Sequence, residues 1–205
     1  MATEDIEKTN SFDSMEDEES DTSFEDRTTL KIVSKKYKNP VKYEIERPKI
    51  MKLEKAIANI LSDILETNQQ KKNTPKKRDS AFYSAAIPKI SLCDYIKRIQ
   101  KYTFIENNTI ILSLIYIDRI CLIDNFELNY CNIHKVIFAA ILIAIKFNED
   151  KVYSNTYFSK VAGVSLKELN LMEKEILNLL EFKLYVDDTI FKQYEKYLES
   201  FCENE

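Results

Sequence analysis

An all-α fold is predicted for this 205-residue chain by three observations. It holds one glycine, Gly163, four prolines and no tryptophan beside long runs of Leu, Ile, Lys, Glu and Asn, so material for β-turns is scarce and material for helices plentiful. Ten consecutive residues, Val136 to Ile145, carry no polar side chain, which predicts a helix enclosed on every side. Flanking stretches repeat apolar residues at helical spacing, two of them opened by a capping serine. The enclosed run is too short for a bilayer, which needs about 20 apolar residues. It is the expected hub of a bundle, and Ala139, Ala140 and Ala144 thin its surface so that neighbouring helices come close.

Composition narrows the function. A net charge of −4 gives no overall basic field and argues against nucleic acid as the main partner. Neither a signal peptide nor a run of membrane-spanning length is present, so a soluble intracellular chain of the nucleus or cytoplasm, without a membrane partner, is expected. Cys93, Cys121, Cys131 and Cys202 show no metal spacing with the single histidine, His134, and are expected to be reduced and structural. His134, near the start of the hub, has no nucleophile arranged around it and reads as a packed or helix-terminal residue. With one glycine there is no phosphate-cradling loop; a nucleotide-hydrolysing enzyme is not expected, and no catalytic residue, metal or cofactor is implied.

Along the chain, residues 1–30 hold eleven acidic residues against Lys8 and Arg27 and few large apolar ones, so this segment cannot offset its ordering entropy and is expected to be disordered. Ser11, Ser14, Ser20, Thr22 and Ser23 in it suit acidophilic phosphorylation, and the segment equally suits a solubilising tail. Residues 31–55 turn basic around Pro40 and Pro48, as a nuclear-import or anionic-surface segment does, or as a linker that neutralises the acidic tail does. The tail is therefore drawn as 1–50, the folded domain as 51–201 and a last tail as 202–205.

Met51, Leu53, Ile57, Ile60, Leu61, Ile64 and Leu65 predict the first helix, to Thr67. After a basic loop with Pro75, Ser91 and Asp94 make a variant capping box for a helix reaching about Tyr102. Residues 106–123 predict a third helix, nearly all apolar, whose adjacent Asp118 and Arg119 need partners if they are buried. The hub, about 130–148, is fourth. Residues 151–164 predict a short helix that Gly163, the residue best suited to positive φ, ends. Ser165 and Glu168 form a full capping box for a sixth helix with an inner stripe of Leu166, Leu169, Met172, Ile176 and Leu179. Residues 188–201 close the chain with an amphipathic helix.

Three segments carry a family resemblance: YIDR (116–119), AIKF (144–147) and LMEKEILNLLEFKL (171–184). In this order and spacing they resemble the signatures of a cyclin box, the five-helix repeat of cyclins, here with one flanking helix at each end. PKISLCDYIKRIQKY (88–102) and YSNTYFSKVAGVSLKELNLME (153–173) sharpen this to the P-type or U-type cyclins, similar to the phosphate-pathway cyclins, and the match covers roughly 50–200. The resemblance implies a non-catalytic subunit that forms a heterodimer with a cyclin-dependent serine/threonine kinase and activates it allosterically. It also implies that Lys146 and Glu173 bind the backbone near the kinase's mobile C-helix, with Phe147, Leu177 and Phe182 packing around them and Ile143 behind. The rationale is physical: the kinase is active only when a glutamate of that helix pairs with the ATP-binding lysine, and a docked partner can hold the helix inward. A lysine has three donors and a carboxylate only acceptors, so the pair can grip one exposed backbone turn. A dock of this kind buries on the order of 1,500 Å² or more.

The chain departs from the cell-cycle pattern in one place. Where many such cyclins have Met-Arg-Ala-Ile-Leu, it reads Pro88-Lys89-Ile90-Ser91-Leu92, leaving Lys89 as a candidate partner for Asp118 and weakening any substrate groove near Leu92 and Tyr95. No second box fits in the remaining length. The competing expectation is a cyclin-fold adaptor that binds nucleic acid or transcription factors through the basic stretches 31–55 and 71–78.

Overall fold

In the computed structural model, which describes residues 40–70, 80–123 and 126–203, every regular element is a helix. They are α1 (Pro40–Gln70), α2 (Leu92–Thr103), α3 (Asn107–Cys121), α4 (Ile133–Asn148), α5 (Asn155–Ala162), α6 (Leu166–Leu179) and α7 (Asp188–Glu203). Helix α4 is the hub: Val136 to Ile145 are each 3% exposed or less. It packs chiefly on α3 and α6, and also on α2 and α5, while α1 and α7 pack on the outer helices and on each other. Each buried Ile, Leu or Phe of α4 contributes about 1.5–3 kcal/mol, and α3, on which it chiefly packs, buries as many. No described helix is long and apolar enough to cross a membrane.

Helix α1 begins eleven residues before the expected Met51, so residues 40–50 are helical rather than part of the tail. Proline at a first helical position forgoes only a donor that has no partner there, and the following Lys, Glu, Arg and Ile residues sustain a helix. At Pro48 the helix forgoes one more donor and continues. The acidic cluster Ser11, Ser14, Ser20, Thr22 and Ser23 and the loop 71–79 lie outside the described residues.

Serines open three of the helices. Ser91 Oγ accepts from Asp94 N (3.1 Å) and donates to Asp94 Oδ2 (2.7 Å), and Ser165 Oγ accepts from Glu168 N (3.2 Å). The second box is only half closed, because Glu168 pairs with Lys135 at 2.6 Å instead of reaching back. Ser154, inside the stretch expected to be helical, is the cap of α5 and delays its start to Asn155. Gly163, at φ 77°, ends that helix, and its N–H donates to Ser159 O (2.9 Å). His134 is packed as expected: Nε2 donates to Ile90 O (3.0 Å), and its ring lies 5.2 Å from that of Tyr95.

One seam is left polar. Where α1 meets α2, Glu54 is 4% exposed and its Oε2 has no hydrogen-bond partner; on α2, Gln100 is 7% exposed and neither amide atom has one. Burial pushes the Glu54 carboxyl up to about 7, against the opposing pull of Lys97. Because the folded value lies above the ordinary one, the protonated carboxyl favours folding. This contribution is complete below about pH 4.5 and is lost as pH rises through about 7. Between pH 5 and pH 8 the wild-type chain is therefore expected to lose about 1–3 kcal/mol relative to Glu54→Gln. Paired urea melts of the two proteins across that range check this, and parallel profiles overturn it.

Candidate functional site

The polar end of the hub lies against α6. Lys146, in the last turn of α4, reaches Glu173 in the middle of α6, with Nζ donating to Oε1 at 2.5 Å. Their side chains are 29% and 18% exposed, so the pair sits at the boundary of core and solvent. Glu173 Oε2 accepts from Asn155 Nδ2 (2.7 Å), which also donates to Asn170 Oδ1 (2.7 Å). Asn170, Glu173 and Leu177 follow one another at the i, i+3, i+7 spacing of one helix face. The result is a polar strip drawn from α4, α5 and α6.

Apolar residues follow it along α4 and α6. Phe147 is 51% exposed and Phe182 66%, while Leu177 is half-buried against the core. Ile143 is 3% exposed, so it backs the surface without forming any of it. Phe182 owes its position to unusual backbone: Glu181 and Phe182 both take left-handed φ, 50° and 57°. The Phe182 N–H donates to Leu177 O (3.0 Å) as the chain turns off α6.

The YIDR segment holds the chain beyond Phe182. Tyr116 Oη donates to Leu184 O (2.8 Å), and Arg119 donates to Lys183 O (2.8 Å) and Tyr185 O (3.1 Å). Three consecutive carbonyls are thus tied to α3. Asp118 accepts a short hydrogen bond from Tyr194 of α7. The expected Lys89–Asp118 pair does not form; Asp118 meets a phenol brought in by α7, whereas Lys89 lies before α2, next to the Ile90 carbonyl that His134 engages. The stretch near Leu92 and Tyr95 is also closed, since Tyr95 is 5% exposed and donates to Ala162 O (3.1 Å).

A second anchor fixes the hub's end. Just past α4, Glu149 Oε1 accepts from Thr109 Oγ1 and, at 3.4 Å, from the Glu106 N–H at the start of α3. Asn148 Nδ2 donates to the same hydroxyl (3.2 Å). A carboxylate at a helix N-terminus is favoured by the unpaired amides there. Lys146 and Phe147 are therefore held by a chain pinned on both sides. Sequence reasoning missed Asn155, Asn170 and Glu149, whose roles rest on contacts 15 to 43 residues apart along the chain.

This architecture matches known proteins. The family model for Cyclin matches residues 12–184. The chain belongs to the cyclin family. Its relatives are U-type and P-type cyclins. It is 31% identical over 160 residues to Cyclin-U4-1 of Arabidopsis thaliana, covering 76% of this chain and 79% of the relative. It is 29% identical over 180 residues to Cyclin-P3-1 of Oryza sativa subsp. japonica (86% and 73%), and 35% identical over 133 residues to PHO85 cyclin-7 of Saccharomyces cerevisiae (59% and 47%). The chain spans about half the length of several curated relatives it matches, between 47% and 51%. Membership makes this cyclin a regulatory chain.

The anchor at the hub's end can be tested by itself. Thr109 is fully buried, so Thr109→Val keeps the shape while leaving Glu149 and Asn148 short of a partner. A loss of about 1–3 kcal/mol in folding stability is expected by chemical denaturation. An unchanged midpoint would show that the hydroxyl anchors nothing.

Proposed function

We propose that this cyclin binds a cyclin-dependent serine/threonine kinase inside the cell, in the nucleus or cytoplasm, and holds the kinase's mobile C-helix in its active position. The chemistry belongs to the kinase; the cyclin contributes a docked surface that biases a two-state element. The observation that carries this reading is the Lys146–Glu173 pair at the end of the enclosed hub, with exposed Phe147 next to Lys146 in the chain and exposed Phe182 just past the end of α6. Lysine offers donors for a carbonyl and glutamate offers acceptors for an amide, so a partner backbone turn with both groups exposed suits the pair. The two phenylalanines supply aromatic anchors of the kind that dominate interface energetics. The name of the yeast relative, a cyclin of PHO85, is consistent with this partner class. No observation on the described residues favours the adaptor reading; of its basic stretches, 31–39 and 71–78 lie outside them and the rest lies in α1.

The test compares wild type with Lys146→Glu, Glu173→Lys and the double exchange, each purified with tagged chain and assayed for bound kinase and phosphorylation activity. The double exchange keeps the pair within the chain while reversing its direction, so a folded protein that does not dock is expected. Each single variant should lose affinity by about thirtyfold or more, equivalent to at least 2 kcal/mol. Wild-type binding by the folded double exchange would sink the assignment of this face, and the absence of any bound kinase would sink the function.

A further inference from the structure

We infer that Asn155 is a positioning residue of the kinase dock, setting the carboxylate of Glu173 so that Lys146 and Glu173 present themselves to a partner backbone side by side. The inference rests on the docking reading above. Its observations are geometric. Asn155 Nδ2 lies 2.7 Å from Glu173 Oε2, and Lys146 Nζ lies 2.5 Å from Oε1, so each oxygen is held by a different donor. The carboxylate plane is thereby fixed at both ends, and Asn170 Oδ1 fixes the amide in turn at 2.7 Å. Asn155 is the first residue of α5, behind the Ser154 cap, so its backbone is set by the start of that helix.

The chemistry of the three side chains explains why this matters. A carboxylate engaged on one oxygen only can swing until both oxygens face the ammonium, which would spend the lysine's donors inside the chain. An amide donor on Oε2 opposes that rotation without adding a competing positive charge. An ammonium carries three donors, and the pair engages one of them. Each carboxylate oxygen accepts about two hydrogen bonds, so Oε1 can serve Lys146 and an incoming amide together. Asn155 thus sets the direction of the pair while α4 and α6 set its place.

Asn155→Asp separates positioning from folding. Aspartate is tolerated well in the first turn of a helix, where it meets the positive end of the helix dipole. It cannot donate to Glu173 and faces it with a like charge. The experiment uses the full chain and a purified cyclin-dependent kinase selected by co-purification with the wild type. Affinity is measured at low and high salt beside the thermal midpoint, for wild type, Asn155→Asp, Asn155→Ala, Glu173→Ala and the Asn155→Ala/Glu173→Ala double variant.

For Asn155→Asp a loss of affinity of at least tenfold is expected with little change in midpoint. The gap from wild type should narrow at high salt, as screening weakens a like-charge contact. Asn155→Ala should cost about threefold to tenfold and nothing further once Glu173 is already alanine. Wild-type binding by both Asn155 variants, with Glu173→Ala weakened, overturns the inference and leaves the docking reading standing. A loss from Asn155→Ala that persists unchanged on the Glu173→Ala background also overturns it, because Asn155 would then act independently. If Glu173→Ala binds as wild type, or no such kinase binds the wild-type chain, the docking reading falls and this inference falls with it.

Discussion

The enclosure of α4 is the constraint on which the rest of the molecule depends. A helix whose residues 136–145 are all closed to solvent can show the outside only its ends. Its flanks are taken by α2, α3, α5 and α6. Chemistry is therefore displaced to Lys146 and Phe147, the first residues after the apolar run. The same enclosure makes those residues rigid, since the backbone beneath them cannot shift without opening the core. A docking surface gains from such rigidity, because less ordering entropy is lost on association.

The other half of the surface is held differently. Phe182 is exposed at the end of a helix, in a left-handed conformation that costs a non-glycine residue about 1–2 kcal/mol, and Glu181 before it is in the same state. Such strain persists only where surrounding contacts over-determine it. Tyr116 and Arg119 provide them by capturing the carbonyls of residues 183–185, and Asp118 extends the hold to α7 through Tyr194. The polar residues of YIDR act as a clamp on the C-terminal segment, and this is why the C-terminal half of a largely apolar helix carries them.

Patterns local in sequence are legible from the residues alone. The order of the helices, the enclosure of the hub, the serine caps and the left-handed glycine all depend on neighbours within a few residues, and each matches the structure. Helix starts are less legible. Prolines at 40 and 48 read as interruptions, whereas one fits a first turn and the other is tolerated; Ser154 reads as helix, whereas it caps one. Polar partners are least legible. Arg119 has no partner in its own stretch because its acceptors lie 64 and 66 residues away, and Asp118 is paired with Lys89 only by the resemblance, whereas its actual partner Tyr194 lies 76 residues away. The juxtaposition of Lys146 with Glu173 comes from resemblance; only the packing of α4 on α6 shows that the two side chains meet.

That meeting raises an energetic question for the proposed dock: a pair already joined within the chain would have to share itself with a partner. The magnitudes favour sharing. A part-exposed ion pair contributes about 0–1 kcal/mol to folding, since much of its attraction is offset by lost hydration and side-chain entropy. Opening or stretching it is correspondingly cheap. When a partner covers the strip, the same charges pass into a drier medium, where hydrogen bonds to a charged group contribute about 1.5–3 kcal/mol each and an unmade one costs as much. On the proposed reading, the pair is worth little to the isolated fold and counts chiefly under a partner. A dock proposed at such a pair has the property that it can be altered without unfolding the chain.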